Sequence, residues 1–221
     1  MTNILISKLN NQIIQCKKCP RLSAYIKTIS INKVKRHAHE KYWGRPLSGF
    51  GDSEAELLII GLAPAAHGGN RTGRMFTGDN SGDWVAKVLH NNGFATKPTS
   101  HKIDDGFDLI NAYITAAVKC APPQNKPSKE EINICSYYLR EELLLLKNVK
   151  VIVCLGKISF DTLKRMLGIK HQKFFHGNKF SYDDKTILCS YHPSRQNTQT
   201  GRLSWDQWNE IFLEAKAMLS N

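Results

Sequence analysis

Apolar residues along this chain keep two different rhythms, and the switches between them mark out the elements. Leu5, Leu9, Ile13 and Ile14 recur at helical spacing, so the first dozen residues predict an amphipathic helix. Pro20 suits the first turn of a second helix. The rhythm then changes to short apolar runs. Leu57-Leu58-Ile59-Ile60, residues 110–118, Val149 to Leu155 and Thr186 to Tyr191 each read as a buried strand. Helices are predicted between and after them: 82–93 behind a Ser81 cap, a helix from the capping box Ser128-Lys129-Glu130-Glu131 to about Leu146, and one opened by Gly156-Lys157. The last helix, about 204–219, is expected to bury Trp208, Ile211, Phe212 and Leu219. Residues 33–54, basic and aromatic and then rich in Gly and Pro, read as a long loop.

Strands alternating with helices imply an α/β fold with a parallel sheet covered on both faces, the loops after the strand ends forming one rim. At 221 residues the chain suits a single domain, with residues 1–32 as a helical extension packed onto it. The sequence shows no long apolar span and no cleavable leader, since Ile4-Leu5-Ile6 is broken at once by Ser7-Lys8. A soluble, cytoplasmic protein with no membrane partner is therefore expected.

Charge and cysteine content narrow the function. Lys and Arg number 31 against 19 Asp and Glu, a net +12 that favours a polyanionic partner through counterion release. Six cysteines in such a chain argue for metal or cluster ligation more than for disulfides. Cys16 and Cys19 form a C-x-x-C-P unit; Cys120 and Cys135 bracket a proline loop and the start of a helix. Four thiolates so gathered suit a cubane iron–sulfur cluster or a tetrahedral zinc, and the proline contexts lean toward the cluster. Cys154 and Cys189, inside apolar strands, read as small core residues.

The chemistry concentrates after strand ends. Gly61 to Asp79 follows the first strand and combines small residues, an aromatic platform in Phe76 and a carboxylate in Asp79, the inventory of a pocket for a flat heterocycle. His192 ends the fourth strand. Behind it Arg195, Gln196, Asn197, Gln199 and Arg202 form an acid-free run suited to phosphates and base edges. Asp83 reads as a carboxylate placed favourably in a helix's first turn.

Together C-K-K-C-P-R-L, G-F-G-D, G-L-A-P-A-A-H-G-G-N-R-T-G-R-M-F-T-G-D, A-A-V-K-C-A-P-P-Q-N-K-P and Y-H-P-S-R-Q-N-T-Q-T-G-R resemble the type-b (fifth) family of uracil-DNA glycosylases, over roughly residues 16–202. The resemblance implies a three-layer α/β/α fold with a central four-stranded parallel sheet. It also implies a 4Fe-4S cluster held by Cys16, Cys19, Cys120 and Cys135. The implied activity is excision of uracil, and of other deaminated bases such as hypoxanthine, from DNA by a monomer with no obligate protein partner.

On that reading Phe76 stacks on the extruded base, and the backbone of the Leu62 to His67 turn, including Leu62, Ala63 and His67, binds its carbonyls. Asn125 reads its edge and His192 donates to the carbonyl oxygen that gathers negative charge. Arg195, Gln196, Asn197 and Arg202 hold DNA. Other families of this fold carry a polar or acidic residue at the places of Leu62 and Ala63. Here neither can position water, which moves that task to Asp79. A non-catalytic iron–sulfur DNA-binding module is the alternative, and it leaves Phe76, Asp79 and His192 without a task.

Overall fold

The computed structural model describes residues 2–220. Its sheet has six strands in the order β1-β3-β2-β4-β6-β5. These are β1 (Phe50–Gly51), β2 (Leu57–Gly61), β3 (Ala112–Ala116), β4 (Val151–Leu155), β5 (Lys179–Tyr182) and β6 (Lys185–Ser190). The four inner strands, β3, β2, β4 and β6, are mutually parallel, as expected. The expected strand count of four is corrected to six by two antiparallel edges, β1 on β3 and β5 on β6. Both edges evade an apolar-run reading for physical reasons. β1 has only two residues, and β5 carries alternating exposed positions because one face of an edge strand meets water. Asp183, at φ 51°, begins the two-residue turn that folds β5 onto β6.

Around the sheet lie α1 (Thr2–Ile14), α2 (Pro20–Ile31), α3 (Gly69–Thr72), α4 (Asn80–Asn91), α5 (Lys129–Leu145), α6 (Lys157–Leu167), α7 (Arg195–Gln199) and α8 (Trp205–Leu219). Alternation of side chains across each strand separates two cores. Leu57, Ile59, Ile114, Val153 and Leu188 face Val85 and Leu89 of α4 and Trp208 and Phe212 of α8. Leu58, Ile60, Ile152 and Ile187 face the other way, toward Leu139 of α5 and Phe160 and Leu163 of α6. Cys154 and Cys189 belong to that second core and are fully buried, as the sequence implied. The three layers follow from this double-sided burial.

A third cluster holds Leu9 and Ile13 of α1 and Leu22 and Ile26 of α2 against Val118, Ile132 and Tyr138. Beneath it a buried ion pair joins Lys119 Nζ to Glu142 at 2.7 Å, with Thr115 Oγ1 donating to the same carboxylate at 2.7 Å.

Several boundaries shift. β3 occupies 112–116 rather than 110–118, because Asn111 turns the chain at φ 48°. Ser128 makes the full capping box with Glu131. Residues 33–54 hold a 3-10 turn at Lys35–His37 as well as β1. The expected basic loop behind His192 is the short helix α7, capped by Ser194. Among the described residues no helix is long and apolar enough to cross a membrane.

Candidate active site

The parallel strands aim the loops after β2, β3, β4 and β6 toward one end of the sheet, where ligands bind in open α/β folds. The loop after β2 is organised by two arginines. Arg71 donates from Nε to the His67 carbonyl and from Nη2 to the Gly78 carbonyl, both at 2.8 Å, and pairs with Glu40. Arg74, only 6 % exposed, donates to Ser100 Oγ at 2.9 Å and Asp105 Oδ1 at 2.8 Å, and lies over the Phe107 ring. Asp105 is desolvated, yet the hydrogen bonds from Arg74 and from backbone N–H groups hold its carboxyl well below the usual range. A long loop thereby becomes a fixed surface. Ala65 O accepts from Gly68 N at 3.3 Å and Asn70 N at 3.0 Å, closing the turn. Among the described residues, the N–H groups of Ala63, Ala65, Ala66 and His67 in that turn donate to no protein acceptor. They are spare donors beside the end of β2.

Phe76 takes φ 49°, a left-handed conformation unusual for a bulky residue and a sign of local strain. Its ring packs over Gly61, where an added Cβ would lie 3.0 Å from Phe76 Cζ. The same ring stands 5.8 Å from the His192 ring, planes inclined at 35°.

Asp79 is the N-cap of α4, its Oδ1 accepting from Gly82 N at 2.9 Å. This corrects the expected cap at Ser81, whose hydroxyl instead donates to Pro193 O at 3.1 Å and so ties α4 to the His192 turn. The Asp79 carboxylate is pressed against Gly68, where a Cβ would lie 1.8 Å from Oδ2; only glycine fits there. Burial pushes the Asp79 carboxyl above its ordinary pKa, opposed by hydrogen bonds from Gly82 and Ser81. Asp83 is exposed in the first turn of α4, as its dipole-favoured placement predicted.

His192 keeps an edge toward solvent, but the surrounding protein desolvates the ring and lowers its pKa to about 4. The imidazole is therefore neutral near pH 7, able to donate one N–H without carrying a buried charge. Asn197 Nδ2 donates to His192 O at 2.8 Å, and Ser194 N does the same at 2.8 Å. These two bonds fix the turn that presents the ring.

A cavity of about 300 Å³ opens beside it, lined by Leu62, Gly156, Lys157, Phe174, His192 and Arg202 among others. Of the predicted site, Leu62, His192, Asn197 and Arg202 meet in this cavity. Phe76 and Asp79 do not line it: Phe76 meets the His192 ring, and Asp79 lies against Gly68 at the start of α4. Arg195 and Gln196 are exposed on α7. His67 meets Tyr42 Oη at 3.0 Å, and burial with the nearby Arg36, His37 and Arg71 charges lowers its pKa. Ala63 packs into the cluster beside the cysteines. Asn125 is exposed at φ 57° on the turn after β3, outside the His192 cavity.

Sequence reasoning missed Gly156, Lys157, Phe174, His176 and Tyr191. His176 stacks on Tyr191 at 5.2 Å and its Nδ1 accepts from Tyr191 N at 3.2 Å. Arg202 lies over the other ring system of this group, 4.4 Å from the Tyr191 centroid. The Gly-Lys step after the third apolar run was the available signal for one side of the cavity.

Cys16, Cys19, Cys120 and Cys135 line one further cavity with Leu22, Pro46 and Tyr138. Lys119 N donates to Cys135 Sγ at 3.2 Å. Burial raises the Cys135 thiol to about 11, with Cys16 and Cys19 adding to the rise and Lys119 opposing it. Among the described residues no group of three or more His, Cys, Asp or Glu side chains is gathered that could hold a metal ion.

With this geometry in place, comparison with known proteins is direct. The family model described as the Uracil DNA glycosylase superfamily matches residues 48–216. A type-5 uracil-DNA glycosylase of Thermus thermophilus is 45% identical over 92% of this chain and 93% of its own length. One of Pyrobaculum aerophilum is 42% identical over 94% of this chain and 90% of its own length. A type-4 uracil-DNA glycosylase of the same organism is 27% identical over 86% of this chain and 83% of its own length. The chain belongs to the uracil DNA glycosylase superfamily and, within it, to the type-5 uracil-DNA glycosylases.

Proposed function

We propose that the protein hydrolyses the N-glycosidic bond of uracil in DNA, leaving an abasic site, and accepts other deaminated bases such as hypoxanthine. The observation that carries this reading is the neutral His192 held beside Phe76 at the sheet's functional end, in a chain whose full-length relatives are named uracil-DNA glycosylases.

Breaking a deoxyribosyl C–N bond builds positive charge on the sugar and negative charge on the departing base, so catalysis requires groups that meet those charges in the transition state. The base must first leave the duplex, at a cost of a few kcal/mol that is least for a mispaired nucleotide. Phe76 supplies the aromatic surface for the extruded ring. The free N–H groups between Ala63 and His67 donate to its carbonyls, and His192 donates to the oxygen that accumulates charge. Donation of this type is worth roughly 3–4 kcal/mol. A neutral ring suits the task, since it strengthens its hydrogen bond as the oxygen becomes anionic. Asp79 orients water and offsets sugar charge, and the anionic DNA backbone adds to that stabilisation. Asn125 reaches the base edge when the loop after β3 meets DNA. Arg195, Gln196, Asn197 and Arg202 bind the strand.

The four soft sulfur donors of Cys16, Cys19, Cys120 and Cys135, in a cavity whose lining holds no carboxylate, suit a 4Fe-4S cluster. Bound there, it would cross-link the α1–α2 turn, the loop after β3 and α5, with Cys16 and Cys19, Cys120, and Cys135 as the respective holders. The chain works as a single domain with residues 1–32 as its cluster-binding extension, a monomer acting in the cytoplasm.

Duplexes carrying single uracil, hypoxanthine, xanthine or thymine mispairs, followed by alkaline cleavage, test the reading. Strand breaks at uracil are expected; intact strands after incubation with iron-loaded protein would overturn it.

A further inference from the structure

Charge is unevenly spread along this chain. Residues 1–51 hold ten Lys and Arg and a single acid, Glu40, so under a quarter of the chain carries +9 of the net +12. Glu40 is taken up internally: its carboxylate pairs with Arg71 and meets His37 Nδ1 at 2.5 Å. Lys35, Arg36, Lys41 and Arg45 are exposed, and among the described residues none of the four pairs with a carboxylate. The segment that bears them is firmly seated. Trp43 N donates to Arg71 O at 2.9 Å, Gly44 N to Asn70 O at 3.1 Å and Leu47 N to Lys119 O at 2.7 Å. Arg71 is also the side chain that holds the His67 and Gly78 carbonyls. The cationic segment is therefore fastened to the loop that carries the spare N–H donors and Asp79.

Unpaired cations crowded on a fixed surface repel one another, and a polyanion relieves that repulsion. The segment is held by the loops after β2 and β3, whereas α7 follows β6. In the sheet β3 and β6 stand three places apart, about 14 Å at the usual strand spacing. That distance is roughly the rise of four nucleotides along one strand, too far for both surfaces to hold the same phosphate. We propose that residues 35–45 form a second DNA-binding surface, which grips phosphates on the opposite side of the extruded nucleotide from α7, with Glu40 as its tether. The proposal rests on the glycosylase reading for the identity of the polyanion. Lys35, Arg36, Lys41 and Arg45 supply the charge, and Glu40 with the three backbone bonds supplies the placement. Because the segment is already ordered, contact requires little further loss of freedom.

The test measures binding of iron-loaded protein to a labelled uracil-containing duplex by anisotropy over a range of salt. A triple variant, Lys35→Ala with Arg36→Ala and Lys41→Ala, should lower the slope of log affinity against log salt by about two to three, one for each phosphate lost. The charge-keeping triple, Lys35→Arg with Arg36→Lys and Lys41→Arg, should hold the parent slope. An unchanged slope in the first, or an equal loss in the second, overturns the proposal. Duplexes with uncharged methylphosphonate linkages on one side of the uracil locate the contact. The triple alanine variant should be indifferent to neutralisation on one side, and Arg202→Ala to neutralisation on the other; indifference to the same side overturns the placement. Glu40→Ala raises the net charge by one, yet should weaken binding because the surface loses its tie, and tighter binding overturns the tether. Binding is read without excision, so a protein that grips DNA this way but leaves uracil in place fails the glycosylase reading alone.

Discussion

Phe76 and His192 stand 5.8 Å apart, ring centre to ring centre, although one follows β2 and the other ends β6. That spacing is a direct aromatic contact, and it leaves no slot for a third ring between them. A base stacked on Phe76 must therefore present its edge to His192 rather than its face. The arrangement suits a hydrogen bond to a carbonyl oxygen.

Replacing His192 with Gln removes the ring donor. Single-turnover excision of uracil should fall roughly 10²–10³-fold, while the dissociation constant for uracil-containing duplex changes little. An equal loss in both measurements contradicts a role in the transition state.

The same ring should titrate far from the ordinary histidine value. Its NMR midpoint in the folded protein is expected near 4, against 6.5 for an unperturbed ring. Between those values the unfolded chain binds a proton that the folded site refuses. Stability from this group is thus complete above 6.5, declines as pH falls toward 4, and changes no further below that. The decline is at most about 3 kcal/mol, and urea unfolding of the parent and His192→Gln at pH 7 and pH 5 measures it.

Asp79 has two tasks that substitutions separate. Asp79→Ser keeps a good helix cap and removes the carboxylate, so stability should hold while excision falls. Asp79→Ala should add a loss of about 1 kcal/mol in stability. Gly68→Ala forces a methyl into the space of Asp79 Oδ2 and should reproduce the rate loss without touching the carboxylate's chemistry. Full activity in Asp79→Ser would show that the residue is a cap alone.

Contact with the DNA backbone predicts salt dependence. Arg195→Ala and Arg202→Ala should each weaken binding across sequences and reduce the slope of log affinity against log salt by about one if each meets a phosphate. Unchanged slopes would remove α7 and the Arg202 segment behind it from the DNA interface.

Removal of the proposed cluster should act on the fold rather than the chemistry. Cys16→Ala or chelation of iron is expected to bleach visible absorbance and to loosen residues 2–31 in hydrogen exchange. Bleached protein with unaltered exchange and full DNA binding counts against a cross-link. A separate stability test lies next to it: Glu142→Gln leaves Lys119 without its buried partner and should cost several kcal/mol.

The sequence by itself determined the layers. Uninterrupted apolar runs such as Leu57 to Ile60 leave a strand no face for water, so helices must cover both sides, and Ser128 with Glu131 announces its helix locally. Strand ends carrying Phe76 and His192 were legible for the same reason: local pattern places them on loops. What the tertiary structure alone decided were relations between distant segments. Pairing at a sheet edge turned Lys179 to Tyr182 into β5, a step that no periodicity announces in a half-solvated strand. Asp79 rather than Ser81 caps α4, and the serine hydroxyl goes instead to Pro193, far along the chain. Desolvation of His192 and the shared cavity of four thiols arise only when separate strands and helices pack, because burial belongs to the assembled surroundings of a residue and not to the residue itself.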